Sequence, residues 1–255
     1  MQLNSSQKKV ILKNRLIFFF VLLFVYVILF EFVLPVNKIL PKPSLLLESV
    51  TALFTDYNLL SQMAITTTIV YLAIPIAFAL VWLLSFRFSI MITKNIGFFN
   101  NLRLFKYFPT FFFVVLFTFW FQNSLFAELI FAVIISTVHI SNSFIKTAGY
   151  VPKEYTDSAK SLNIVGKELH KKVIWAYSLP KLITEIKILH YSLWVLLLIY
   201  EFVGVNNGFG GIYNLALKYN DLSVFILLAI IIALLIWLGN SIISYIKNKL
   251  VFWKV

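Results

Sequence analysis

Residues 151–180 read VPKEYTDSAKSLNIVGKELHKKVIWAYSLP, a polar, lysine-rich island in a chain otherwise built from long apolar runs. Pro152 suits a first helical residue, where its missing N–H has no partner to lose. Glu154 and Asp157 then fall in or near the opening turns, where negative charge complements the helix dipole. Tyr155, Ala159 and Leu162 recur at i, i+4 and i+7 and so share one face. Asn163 tolerates the left-handed conformation that ends a helix and turns the chain. A second short helix is expected next, with Val165, Leu169 and Val173 on its apolar side. The island therefore reads as two short helices in an L. Charge and periodicity alone fit equally well an amphipathic segment lying on lipid headgroups.

The surroundings fix the class. Of the 255 residues, 61% are hydrophobic and only 13% charged, which is too apolar for a water-soluble domain. The length suits one membrane domain of several spans. Cysteine is absent, which excludes disulfides, thiolate metal sites and cysteine nucleophiles. A net charge of +12 would suit nucleic acid, but the lysines and arginines cluster at the ends of apolar runs, as topology determinants do. Membrane lipid, and no nucleic acid, is the expected surrounding.

An all-α membrane protein of about six spans follows, at 16–34, 64–84, 104–121, 125–145, 182–203 and 222–246. The first run reaches about 28 Å at 1.5 Å per residue and exceeds the roughly 7–15 residues of a signal-peptide core, so it reads as a retained span. Residues 1–15 and 247–255 are then terminal segments, and 151–180 is the loop between the fourth and fifth spans. With both termini in the cytoplasm, 19 of the 22 lysines and arginines lie inside, the island's among them.

Placed in that loop, the residue order resembles the EAA signature of permease subunits of bacterial ATP-binding-cassette importers: Glu-Ala-Ala, three residues, Gly, then a spacer closing on Leu-Pro. Asp157, Ser158 and Ala159 stand for the triplet, Asn163 for the glycine, and Leu179-Pro180 closes the motif. The chain departs at Asp for Glu, Ser for Ala and Asn for Gly. Other stretches resemble the nitrate/sulfonate/taurine-type branch: Leu40-Pro41-Lys42-Pro43-Ser44, Thr66-Thr67-Thr68, Arg103 to Pro109 followed by Trp120-Phe121 (with Gln122 for a glycine), and Glu201-Phe202-Val203-Gly204 followed by Gly208-Phe209-Gly210.

The resemblance implies a multi-pass subunit of the bacterial inner membrane that moves a solute and is not itself an enzyme. It also implies a homodimer, two cytoplasmic ATP-binding-cassette ATPases and a periplasmic or lipid-anchored substrate-binding protein that selects the solute. The island would be the coupling helix that docks into the ATPase. Tyr155, Ala159 and Leu162 would form its apolar face, Glu154 and Asp157 its polar rim and Asn163 its turn, with Ser158, Leu179 and Pro180 completing the motif.

No G-x-x-x-x-G-K-[ST] occurs, so Gly208, Gly210 and Gly211 read as a tight turn rather than a phosphate cradle, and any ATP-driven work falls to a partner. No metal or cofactor is expected, and neither H-E-x-x-H nor G-x-S-x-G is present. Glu31, Glu185 and Lys187, near span ends, are expected to reach the interface. Within spans, Glu128, His139, His190 and Glu201 either bond helix to helix, helped by Ser136, Thr137, Ser141, Asn142 and Ser143, or line the pathway. Were Glu128, His139 and Glu201 ion-coupling groups, the chain would instead be a gradient-driven secondary transporter. A membrane-embedded scaffold or enzyme with a lipid-binding island is the third reading.

Overall fold

The computed structural model describes residues 5–34, 40–94, 110–121, 124–204 and 207–250. Regular structure in the described residues is all helical. Helix α1 (Ser5–Val27) runs on as a π-helical segment, Ile28–Val33, and is followed by α2 (Pro43–Thr55) and α3 (Leu59–Lys94). Then come α4 (Thr110–Trp120), α5 (Leu125–Gly149), α6 (Lys153–Ser161) and α7 (Gly166–Leu169). A second π-helical segment, His170–Trp175, leads into α8 (Ala176–Gly204); α9 (Phe209–Lys218) and α10 (Leu222–Leu250) complete the order.

Among the described residues, four stretches are long and apolar enough to cross a membrane: Leu59–Met91, Leu125–Gly149, Gly166–Gly204 and Leu222–Leu250. The second, fourth, fifth and sixth expected spans fall on them. The first falls on a shorter apolar helix, Ile17–Val33, and the third on Phe111–Trp120. The residues expected at 104–109 lie outside the described ones.

At three places the helices run differently from the local reading of the chain. The helix over the second expected span runs unbroken from Leu59 to Lys94, past both of its bounds, with Pro75 inside it. The helix over the fifth expected span begins well before 182. Helix is continuous from Gly166 to Gly204 with Pro180 in its interior. Hydroxyls take up carbonyls around that proline: Ser178 Oγ donates to the Ile174 carbonyl at 2.8 Å and Thr184 Oγ1 to that of Pro180 at 2.9 Å. Finally, the glycine-rich turn is shorter than expected. Gly208 has φ +107, but Gly210 and Gly211 already belong to α9.

The chain divides into two units, residues 1–58 with 216–229, and residues 59–215 with 230–255. In the first, α2 begins at Pro43, a position where proline costs no hydrogen bond. The Ser44 N–H donates to the Glu31 carboxylate at 3.2 Å, so Glu31 serves the positive end of α2. The Tyr26 hydroxyl donates to the Pro41 carbonyl at 2.6 Å. In the second unit α5 packs against both α3 and α8, and α4 against α8. Val114, Phe131 and Tyr200 from α4, α5 and α8 meet in a buried cluster bordered by Phe117.

Candidate functional site

The island folds as an elbow at the end of α5. Its first helix, α6, starts one residue later than expected, with Pro152 as the extended flanking residue (φ −59, ψ 137). Its end is closed by Asn163 at φ +61. The Ile164 N–H reaches the Ala159 carbonyl at 2.9 Å and the Asn163 N–H that of Lys160 at 2.9 Å, the pairing of a Schellman cap. Asn163 thus makes the turn its residue type promised. The expected apolar face is narrower than periodicity suggested. Tyr155 is 56% and Leu162 74% exposed, whereas Ala159 is only 6% exposed and faces inward. Glu154, Asp157 and Ser158 are exposed, and Asp157 pairs with Lys160 at 3.1 Å. Leu179 and Pro180 are half-buried inside α8, apart from α6 in the chain's course.

A residue that the sequence did not single out joins the elbow to the bundle. His170, buried in the second π-helical segment, sits between two serines of α3, with Nε2 2.8 Å from Ser85 Oγ and Nδ1 2.9 Å from Ser89 Oγ. Ser85 and Ser89 are one turn apart, so one imidazole spans both. A neutral ring offers one donor and one acceptor, and a pair of hydroxyls complements it in either tautomer. Phe86 and Phe144 meet the ring at 5.6 and 6.0 Å, and Trp175 packs against Phe78 and Phe144. The available signal was the i, i+4 serine pair on an apolar helix, whose partner lay some eighty residues away.

Among the polar residues inside the helices, Glu201 is fully buried and acts as a lock for α9. Its Oε1 accepts from Thr66 Oγ1 at 2.5 Å and its Oε2 from the Gly210 N–H at 2.7 Å. The Phe209 N–H donates to Thr66 Oγ1 at 3.0 Å, and the Gly208 N–H to Gln62 Oε1 at 2.5 Å. Three N–H groups at the start of α9, which a helix cannot satisfy internally, therefore end on side chains of α3 and α8. This explains the glycines. A Cβ on Gly208 would fall on the Glu201 carboxyl, and one on Gly210 would meet the backbone of α8 at Leu198 and Phe202.

His190, also fully buried, is a second hub. Its Nε2 lies 3.0 Å from Trp194 Nε1 and 3.4 Å from Tyr71 Oη, and its Nδ1 3.2 Å from Asn240 Oδ1. Accepting at Nε2 from the nearer Trp194 N–H and donating at Nδ1 to Asn240 satisfies both ring nitrogens. Glu128 differs. It is fully buried beside Glu201. The expected helix-to-helix bonds of Ser136 and Thr137 do not form among the described residues.

His139 lies apart from Glu128 and Glu201, with Nε2 3.6 Å from Glu185 Oε2. The pair borders a cavity of about 570 Å³ between the last turns of α5 and the first turns of α8. Asn142, Ser143, Lys146 and Thr147 continue its α5 wall, and Tyr177 and Lys181 its α8 wall. The structure thus separates the four candidate pathway residues: Glu128 with Glu201, His190 in its own hub, and His139 with Glu185.

No curated protein matches the chain. A family model described as "Binding-protein-dependent transport system inner membrane component" matches residues 97–251, more than half of the sequence and the whole of the elbow with its flanking helices. The chain therefore belongs to this family, the inner-membrane permease components of ATP-binding-cassette transporters.

Proposed function

We propose that the chain is the permease subunit of an ATP-binding-cassette importer of the nitrate/sulfonate/taurine type, receiving a small solute from an external binding protein. It crosses the membrane six times with both termini in the cytoplasm, the expected spans forming the transmembrane domain between short terminal segments. Two copies pair about a two-fold axis to complete the path. The elbow at 151–180 is the contact for a separate cytoplasmic ATPase.

The observation that carries this reading is the exposure of Tyr155 and Leu162 on a short helix closed by Asn163. Two large apolar side chains held in solvent beside Glu154 and Asp157 offer a partner an apolar centre with a polar rim. When the ATPases close, α6 is drawn with them. The pull reaches α5 through the short link at Tyr150–Pro152, and reaches α3 through His170. Such a contact moves the bundle only if it is better in one state than the other.

The test is Tyr155→Arg with Leu162→Arg. Both side chains are exposed, so the fold is expected to persist while ATPase co-purification and solute uptake are lost together. Unchanged co-purification and uptake would sink the docking assignment. Uptake that continues without any ATPase would point instead to coupling by ion gradient.

A further inference from the structure

Helices α8 and α10 meet along a ladder of side-chain hydrogen bonds. The Lys247 ammonium donates to Thr184 Oγ1 at 2.9 Å and the Lys187 ammonium to Ser244 Oγ at 2.9 Å, while His190 Nδ1 lies 3.2 Å from Asn240 Oδ1. On α8 the three positions recur every third residue, and on α10 they fall four and three apart, so each set shares a helix face. The order reverses between the two helices, as rungs between antiparallel neighbours must.

Both hydroxyls are placed to receive a lysine. Thr184 donates onward to the Pro180 carbonyl at 2.9 Å and Ser244 to the Asn240 carbonyl at 2.7 Å, which leaves each oxygen to accept. Long lysine stems commonly carry the head group out to water. Here one lysine from each helix crosses to the other helix instead. Where the ladder ends at His190, Gly239 seats α10 closely: a Cβ there would meet the Tyr71 hydroxyl and the His190 ring. From Val224 to Leu238 α10 carries only apolar side chains and one tryptophan, so the ladder supplies directional contacts that this run cannot.

We propose that these rungs couple α10 to α8, so that a stroke received at the elbow moves both helices together. Helix is continuous from Gly166 in the elbow to Gly204, so α8 carries the displacement directly, and α10 follows through Thr184, Lys187 and His190. Lys187 and Lys247 are then positioning residues that touch neither solute nor ATPase. This inference rests on the reading of the elbow as the ATPase contact.

The sequence has no cysteine, so labels can be placed at will. Tyr191→Cys on α8 and Ile242→Cys on α10, both exposed, carry spin labels, and their separation is read by pulsed electron resonance in an excess of unlabelled chain. The full chain is measured alone, then with its ATPase, with and without vanadate-trapped ATP. With the ladder intact the separation is expected to stay narrow and the same in every state. Lys187→Met with Lys247→Met keeps the stems and removes the donors. ATPase co-purification should persist, while the distance distribution broadens in the chain alone and shifts when ATP is trapped. Lys187→Ser with Ser244→Lys, which reverses one rung, should narrow the distribution relative to Lys187→Ser alone, a rescue that a damaged fold cannot imitate. The proposal is overturned if the intact ladder lets the separation change with nucleotide, if the methionine pair leaves it narrow and constant, or if the reversed rung restores nothing. A wild-type chain that keeps a narrow separation but fails to co-purify with an ATPase would refute the elbow reading, and the coupling role with it.

Discussion

Helix α6 and the π-helical segment that follows it come from one polar stretch, yet they end in opposite surroundings. In α6 the charged side chains stand in solvent, and Ala159 alone is buried. Seven residues beyond Asn163, His170 is buried, bonded to Ser85 and Ser89 and flanked by Phe86 and Phe144. The buried half is fixed to α3. On the reading proposed above, the exposed half is a handle for an ATPase and the buried half the joint that ties it to the bundle.

His170→Ala should have the largest effect on this arrangement. It removes a ring from a filled site between Phe86 and Phe144, while the Ser85 and Ser89 hydroxyls keep their bonds to the Trp82 and Ser85 carbonyls. The expected loss is about 2–4 kcal/mol of stability, read as a lower unfolding temperature in detergent. Transport should fall even where the protein still assembles with its ATPase. A double-mutant cycle with Ser85→Ala sharpens the claim, with an expected coupling of about 0.5–1.5 kcal/mol. Additive losses would mean that the histidine fills space and joins nothing.

How much of this contrast could be read from the sequence depended on the distance between partners. Asn163 was legible because its own chemistry permits a left-handed turn. The continuity of helix from Gly166 to Gly204 was not, because Pro180 reads as a breaker while the hydroxyls of Ser178 and Thr184, which offset it, read as ordinary polar residues. Ala159 is buried although its spacing sets it on one stripe with the exposed Tyr155 and Leu162, because spacing does not reveal which edge of a stripe the fold covers. Gly210 looked like part of a turn. Its reason lies in the close approach of α9 to Glu201 and the α8 backbone, which no local pattern announces. His170 was silent for the same reason, since its serines sit on another helix. The helix α2 was hidden by Pro41 and Pro43, although the second of these opens it.

The turn between handle and joint gives a smaller effect. Asn163 sits at φ +61 with its N–H bonded to Lys160, so any residue there must accept a left-handed backbone. Asn163→Ala should cost about 1–2 kcal/mol, while Asn163→Gly should be neutral within about 0.5 kcal/mol. Thermal unfolding of both variants checks this. If alanine were as well tolerated as glycine, the turn would not be what sets the angle between α6 and the rest of the elbow.

The smallest expected change in stability comes from Asp157→Asn, and for that reason it bears most directly on the handle. The substitution keeps the shape of the side chain and removes its charge. Its only ionic partner among the described residues is Lys160, one turn away and likewise exposed. Exposed pairs of this kind contribute about 0.2–1 kcal/mol at most, so the unfolding temperature should barely move. ATPase co-purification should nevertheless weaken, and more so as salt is raised, because a charge on the rim of a docking face acts on encounter and register rather than on folding. A variant with lowered stability and undiminished ATPase binding would reverse the assignment, making Asp157 part of the joint and leaving the handle without its rim.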